Sequence, residues 1–211
     1  MFRFLSILCF ISLSSCRFND PKTIIREKPL AIDSSTFQTI EDRFHHKADA
    51  PSAFLGGLTP RLPLAEVYSL DFKTNCIWKS RGMMLTCNNL IALIKDTLTL
   101  IDTEEKFRNI FVPIDNEQEA LSYVAYLSRT YPKYDIVKKF RYRVYSSHFP
   151  STYAKRIAGG FQVLLHDKKV FGCGPHPNYY KLFKVTESGQ ITLLQTVKMF
   201  EDPEEDGLCV D

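Results

Sequence analysis

Apolar residues recur at two different periods along this chain. Over 116–131 they fall at Ala120, Leu121, Val124, Leu127 and Tyr131, one stripe of an α-helix. Asp115 stands where an N-cap belongs, and Glu117 and Glu119 occupy the first turn, where the helix dipole favours acids. Arg129 lies in the last turn and Pro132 ends the run. The stripe predicts a face turned to a core. A shorter helix is predicted over 36–47, where Phe37, Ile40 and Phe44 keep helical spacing and Ser34 or Ser35 stands as cap. Thr103 opens another short helix over 103–109.

Past the main helix the period becomes two. Lys139, Arg141 and Arg143 alternate with Phe140, Tyr142 and Val144, which predicts a half-buried strand with a basic outer face. Further strands are predicted over 161–166, 169–173, 179–186 and 190–199, broken by Gly159-Gly160, Asp167-Lys168, Gly174-Pro175 and Glu187-Ser188-Gly189. Ahead of the helix, 64–85 reads as strand and hairpin material, with a turn at Lys79-Ser80-Arg81-Gly82. The two apolar bursts over 90–101, around Lys95-Asp96-Thr97, read as two short strands, with a single helix as the alternative. Together these elements predict an α+β domain over 64–211, an antiparallel sheet or meander with one main covering helix at 116–131.

The start of the chain has a different pattern. Met1-Phe2-Arg3 is a short basic opening, 4–11 is continuously apolar apart from one serine, and 12–16 is small and weakly polar. That order is that of an export signal. The apolar stretch is about half of the roughly 20 residues a bilayer span needs, so no membrane helix is expected from it. The polar, proline-spaced segment 17–35 reads as a tether, and 48–63, with its glycines and prolines, as a loop. The expected division is therefore a signal over 1–15, a cysteine, tether and loop with one short helix over 16–63, and the domain beyond.

Leu13-Ser14-Ser15-Cys16 resembles the lipobox of bacterial lipoproteins. The resemblance covers the first 16 residues. It implies cleavage between Ser15 and Cys16, a diacylglyceryl group on the Cys16 thiol, and a protein held in the cell envelope by its acyl chains, since two or three chains anchor stably where one does not. Arg17 is not the aspartate that retains some lipoproteins at an inner membrane, so the resemblance points to the outer membrane.

Cysteine parity agrees with that reading. The chain has 6 cysteines. Cys9 leaves with the signal; if Cys16 carries lipid, Cys76, Cys87, Cys173 and Cys209 remain, an even set for an oxidising compartment. Cys76 and Cys87 flank the Lys79–Gly82 turn at a spacing that antiparallel pairing would bring to disulfide distance. A bridge from Cys173 to Cys209 would pin the chain end to the sheet. Four cysteines also allow two other pairings.

Composition narrows the function classes. The 211-residue chain is 45% hydrophobic and 24% charged, with a net charge of +3 and the two signs interspersed. These are globular values, and no single-sign field suggests a polyelectrolyte partner. The arginines and aromatics of 139–144 fall on opposite faces, so a nucleic-acid platform is not expected. Gly172-Cys173-Gly174-Pro175-His176 is the stretch closest to chemistry, as a thiolate and base or as two metal ligands. No second ligand pair accompanies it, and His45, His46, His148 and His166 are scattered. His45-His46 reads as a solvated helix end, and the acidic run Glu201, Asp202, Glu204, Glu205, Asp206 as a solvated, mobile segment. No phosphate loop, nucleophile elbow or His-Glu-x-x-His motif is present. No catalytic residue, metal or cofactor is expected. The reading is a membrane-anchored envelope lipoprotein acting by binding or by a structural role, with an envelope enzyme using Cys173 and His176, or an unrecognised pocket, as the alternative. The succession of one helix and a meander resembles a cystatin-like or NTF2-like helix-on-sheet arrangement in topology, which implies no activity.

Overall fold

Residues 23–71, 75–80 and 85–210 are described by the computed structural model, and they build an α+β fold around two antiparallel sheets. The first sheet holds β1 (Lys47–Asp49), β2 (Leu64–Ser69), β3 (Trp78–Lys79), β4 (Cys87–Ile94) and β5 (Thr97–Ile101). Its centre is β4, which pairs β2 on one side and both β3 and β5 on the other. The run Leu90-Ile91-Ala92-Leu93 is apolar on both faces because both faces are covered. Leu90 and Ala92 enter the main core, and Ile91 and Leu93 join a second core under α1 (Phe37–Phe44). The turn from β4 to β5 places Lys95 and Asp96 at φ 48° and 59°, the left-handed pair that a two-residue hairpin needs.

The second sheet orders β6 (Arg143–Val144), β11 (Ile191–Glu201), β10 (Asn178–Val185), β8 (Gly160–Lys168) and β7 (Tyr153–Ile157). Between β8 and β10 the chain makes an excursion through β9 (Gly172–Cys173), which pairs β12 (Cys209–Val210) as a separate two-stranded ribbon. Gly189, at φ 78°, closes the β10–β11 hairpin.

α2 (Glu104–Phe111) starts on Thr103, whose hydroxyl accepts from the Lys106 N–H at 3.1 Å. α3 (Glu117–Ser128) has Asn116, not Asp115, as its N-cap: Asn116 Oδ1 accepts from the Gln118 and Glu119 N–H groups at 3.0 and 3.1 Å. Glu119 reaches back over this cap, accepting from Asn116 Nδ2 and from the Asp115 N–H. The helix ends three residues before Tyr131, because Arg129 turns left-handed at φ 56°.

The position of α3 departs from the expected covering helix. Residues 119–126 are all buried, so the helix is enclosed around its whole circumference. One core unites Leu64, Leu90 and Ile101 of the first sheet, Phe107 of α2, Leu121 and Val124 of α3, and Phe161, Val163 and Phe183 of the second sheet. α3 lies inside the fold as a central layer, with two further helices around it.

Several other expectations are corrected. Residues 23–35 are not a free tether. The Thr23 hydroxyl donates to the Ala154 carbonyl at 2.7 Å, the Arg26 N–H to Gln118 Oε1 at 3.2 Å, and the Ile32 N–H to the Leu64 carbonyl at 2.9 Å. Gly56 allows this docking, since a Cβ there would overlap the Glu27 carbonyl. No domain boundary falls at residue 64 either: β1 and the 3-10 turn Ala53–Gly57 belong to the same body. The basic stretch 139–144 is strand only at Arg143–Val144, and Phe140 is fully exposed. Its arginines instead bind the acidic run. Arg141 pairs with Asp202 and Glu204, and Arg143 with Glu201 and Asp206. Neutralisation by these partners orders a segment whose own charges would keep it solvated. His46 is buried, not solvated. Its Nδ1–H donates to the Phe44 carbonyl at 2.6 Å, and Nε2 faces the Asn89 amide at 3.3 Å. Among the described residues no helix is long and apolar enough to cross a membrane.

Candidate functional site

Both disulfides form, Cys76–Cys87 and Cys173–Cys209. The first is not a cross-ladder pair: Lys79 stands opposite Cys87, and the chain bends back at Cys76 to a Cα separation of 5.2 Å. The second joins directly opposed residues of β9 and β12. The calls on residues 1–22, Cys16 included, lie outside the described residues, as does the Arg81–Gly82 part of the predicted turn.

The Cys173 and His176 alternative is overturned. Cys173 is oxidised in the bridge, so it offers no thiolate. Both ring nitrogens of buried His176 are directed at backbone carbonyls, Nδ1 at Lys169 (3.0 Å) and Nε2 at Leu208 (3.3 Å). The pair clamps the ribbon to the body. Among the described residues no three His, Cys, Asp or Glu side chains are grouped to hold a metal ion.

The structure instead opens a cleft of about 660 Å³ between the sheets, at the C-terminal end of α3. Its walls have separate origins. Phe54 comes from the Ala53–Gly57 turn, which is fastened to α3: the Ser122 hydroxyl donates to the Phe54 carbonyl at 2.5 Å and accepts from the Gly57 N–H at 3.0 Å. A Cβ at Gly57 would overlap the Gln118 carbonyl, so glycine is what lets the turn approach so closely. Val170 and Phe171 form the opposite wall on the loop leading into the stapled ribbon. Asp167 and Lys181, from β8 and β10, sit at the rim as an ion pair at 2.6 Å.

Three residues, Glu66, Trp78 and Tyr126, line both this cleft and a smaller recess of about 170 Å³ behind it. Glu66 projects from β2 on the same face as Leu64, and Trp78 projects from β3. Trp78 is positioned by the neighbouring Cys76–Cys87 bridge and by the Ile77 N–H, which donates to Asn89 Oδ1 at 2.9 Å. The guanidinium of Arg129 lies 5.0 Å from the Trp78 ring centroid, a cation–π contact.

The polar groups here are unusual. Tyr126 is 3% exposed, and its hydroxyl has no hydrogen-bond partner. The Trp78 ring N–H is buried and also unpartnered. Burial, and secondarily the Glu66 carboxylate, push the Tyr126 hydroxyl well above the ordinary tyrosine range; the Trp78 N–H, close to the hydroxyl, opposes this. Burial raises Glu66 as well, against the hydroxyl and N–H of Ser52, which reach its two oxygens at 3.2 and 3.3 Å. Two buried donors and a desolvated carboxyl thus belong to residues that line the cleft and its recess. Sequence reasoning missed all three residues. The available signal was slight: Trp78 is the only tryptophan of the chain, and Glu66 is a lone acid in a strand otherwise fit for burial.

Comparison of the chain with protein-family models, curated proteins and solved structures finds no match.

Proposed function

We propose that this chain is an exported envelope lipoprotein, anchored through Cys16, whose domain binds a small uncharged organic molecule in the cleft between its sheets. The observation that carries the binding reading is the pair of buried, unpartnered donors, Trp78 Nε1–H and Tyr126 O–H, on two residues that line that cleft. Leaving such a group unmade costs about 1–3 kcal/mol, so natural structures rarely keep one without a use for it. A ligand carbonyl or ether oxygen answers the two donors, a ligand N–H or O–H answers Glu66, and an apolar body suits Phe54, Val170 and Phe171. A preformed apolar pocket with a few convergent polar groups is the usual form of a small-molecule site.

Support for the anchor is the Leu13-Ser14-Ser15-Cys16 motif behind a basic and apolar start. The two disulfides suit an oxidising, non-cytoplasmic compartment. Thr23 is already held to Ala154, so a domain anchored through Cys16 would stand close to its membrane rather than at the end of a long tether.

Two experiments test the reading. Mass spectrometry of the processed protein from its native envelope is expected to show an acylated N-terminal Cys16; a bare Cys16 removes the anchor. Thermal-shift screening of the processed chain against uncharged, carbonyl-bearing compounds is expected to give hits whose stabilisation falls in Tyr126→Phe. Hits indifferent to that substitution contradict the cleft.

A further inference from the structure

The loop between Tyr134 and Tyr142 has fixed stems and an exposed tip. In the first stem, the Lys133 N–H donates to the Thr152 hydroxyl at 2.8 Å and the Thr152 N–H donates to the Lys133 carbonyl at 2.9 Å. The Tyr134 hydroxyl donates to the Thr23 carbonyl at 3.1 Å. In the second stem, the Tyr142 ring stacks on Phe200 with centroids 4.3 Å apart, and the Lys133 ammonium lies 5.7 Å from that same Phe200 ring. Both stems therefore meet at one corner of the second sheet. Between them Val137, Lys138, Lys139 and Phe140 all reach solvent, Val137 at 73% and Phe140 completely.

Charge sets this tip apart from the other exposed apolar side chains. Residues 136–142 include Lys138, Lys139 and Arg141 and no acid. Arg141 is engaged by Asp202 and Glu204. The remaining acids of that run have cations of their own: Arg143 and Lys198 for Glu201, Lys168 for Glu205, and Arg143 for Asp206. Among the described residues no carboxylate pairs with Lys138 or Lys139, and the Lys139 ammonium lies 5.9 Å from the Tyr142 ring. Elsewhere, exposed Leu70 stands beside Asp71, Leu208 follows the acidic run, and Leu193 and Leu194 lie in an uncharged stretch of strand.

We propose that this loop makes a second contact with the membrane, through an anionic phospholipid surface. Phe140 and Val137 enter the interfacial layer, where aromatic rings are favoured. Lys138 and Lys139 lay their stems along it and keep their ammonium groups among the headgroup phosphates. A lipid surface is the occupant because two observations coincide here: surplus positive charge beside unburied apolar groups, and position. Thr23, bonded to the Tyr134 stem, follows Cys16 closely in the chain, so a lipid on Cys16 would bring this corner to the bilayer. The choice of membrane thus rests on the anchored reading, and the test leaves the anchor out so that the two fail separately.

The processed chain carrying Cys16→Ser holds no acyl group. It is expected to bind vesicles of phosphatidylglycerol and phosphatidylcholine in equal parts, saturably with lipid. Binding should fall at least about tenfold in Phe140→Asp, in the double variant Lys138→Glu with Lys139→Glu, and on phosphatidylcholine alone. These side chains are exposed, so the substitutions leave the packing intact. An environment-sensitive fluorophore on Val137→Cys is expected to shift to the blue on the mixed vesicles and to be quenched by spin-labelled lipid. The same fluorophore on Leu193→Cys, exposed in β11, should do neither. No binding to the mixed vesicles, binding that the variants retain, or equal quenching at the two positions overturns the proposal. So does a loop that cross-links to a protein in native envelopes and ignores the vesicles. A bare Cys16 in the mass spectrum leaves this result standing, because the acyl group takes no part in it.

Discussion

The ring of Trp78 meets that of Tyr126 edge-on, centroids 6.4 Å apart, and neither the indole N–H nor the phenol O–H donates a hydrogen bond. The two residues come from distant parts of the chain, a disulfide-held strand and a central helix. Their meeting is thus a product of the tertiary fold, and it buries two donors beside an aromatic cleft.

The Tyr126 hydroxyl is therefore expected to add nothing to stability in the absence of ligand. Tyr126→Phe keeps the ring contacts with Phe107 and Trp78 and removes only the unmatched oxygen. Urea unfolding without ligand is expected to show equal stability or a gain of about 1 kcal/mol. A loss of that size would mean that the hydroxyl is already bonded.

Acid weakens the fold through His166. Burial, and then the charge of Lys133, hold this imidazole down at about 4, against backbone groups of Pro150 and Tyr179 that favour its charged form. The unfolded chain takes up a proton near the ordinary histidine value of about 6.5, whereas the folded chain does so only near 4. The stability contributed by this residue is complete above pH about 6.5 and is lost as pH falls towards 4, at up to roughly 1.4 kcal/mol per pH unit and about 3 kcal/mol in all. Urea midpoints between pH 7 and 4 should fall on this slope, and His166→Phe should flatten it.

Gly57→Ala should damage the cleft from a distance. Its Cβ would press on the Gln118 carbonyl and the Ser122 hydroxyl, forcing the Ala53–Gly57 turn away from α3. Overpacking of this kind costs about 1–3 kcal/mol. Chemical denaturation is expected to show that loss, together with weaker ligand binding as Phe54 shifts.

The Cys173–Cys209 bridge supports the Val170 and Phe171 wall. Replacing both cysteines by serine opens a loop closed at a sequence separation of 36. The chain-entropy model gives a loss of about 3–4 kcal/mol. Denaturation of the double variant measures it, and limited proteolysis is expected to cut first between residues 169 and 177. An unchanged midpoint would mean that the ribbon and its His176 clamp hold without the bridge.

Local patterns read well in this chain. The 116–131 periodicity marked α3 to within three residues at its C-terminal end, the Lys95-Asp96 turn marked a hairpin, and an even set of four cysteines pointed to the two bridges that form. The errors share a cause. Residues 23–35 and 201–206 look solvated because they are polar, yet each is held by partners far along the chain, Gln118 and Ala154 for one, Arg141 and Arg143 for the other. The enclosure of α3 depends on two sheets closing over it, which an apolar stripe does not announce. The cleft was invisible for the same reason: Glu66, Trp78 and Tyr126 are separated in the chain and belong to no motif.

Trp78, as the only tryptophan, makes its own emission a direct report on the cleft. The most direct measurement is a fluorescence titration of the processed chain, and of Tyr126→Phe, across a library of uncharged carbonyl-bearing compounds. A small-molecule site predicts a saturable change in Trp78 emission for at least one compound class, with affinity at least tenfold weaker in Tyr126→Phe, about 1.4 kcal/mol for one lost hydrogen bond. The absence of any saturable change across the library, or affinities equal in the two proteins, would contradict it.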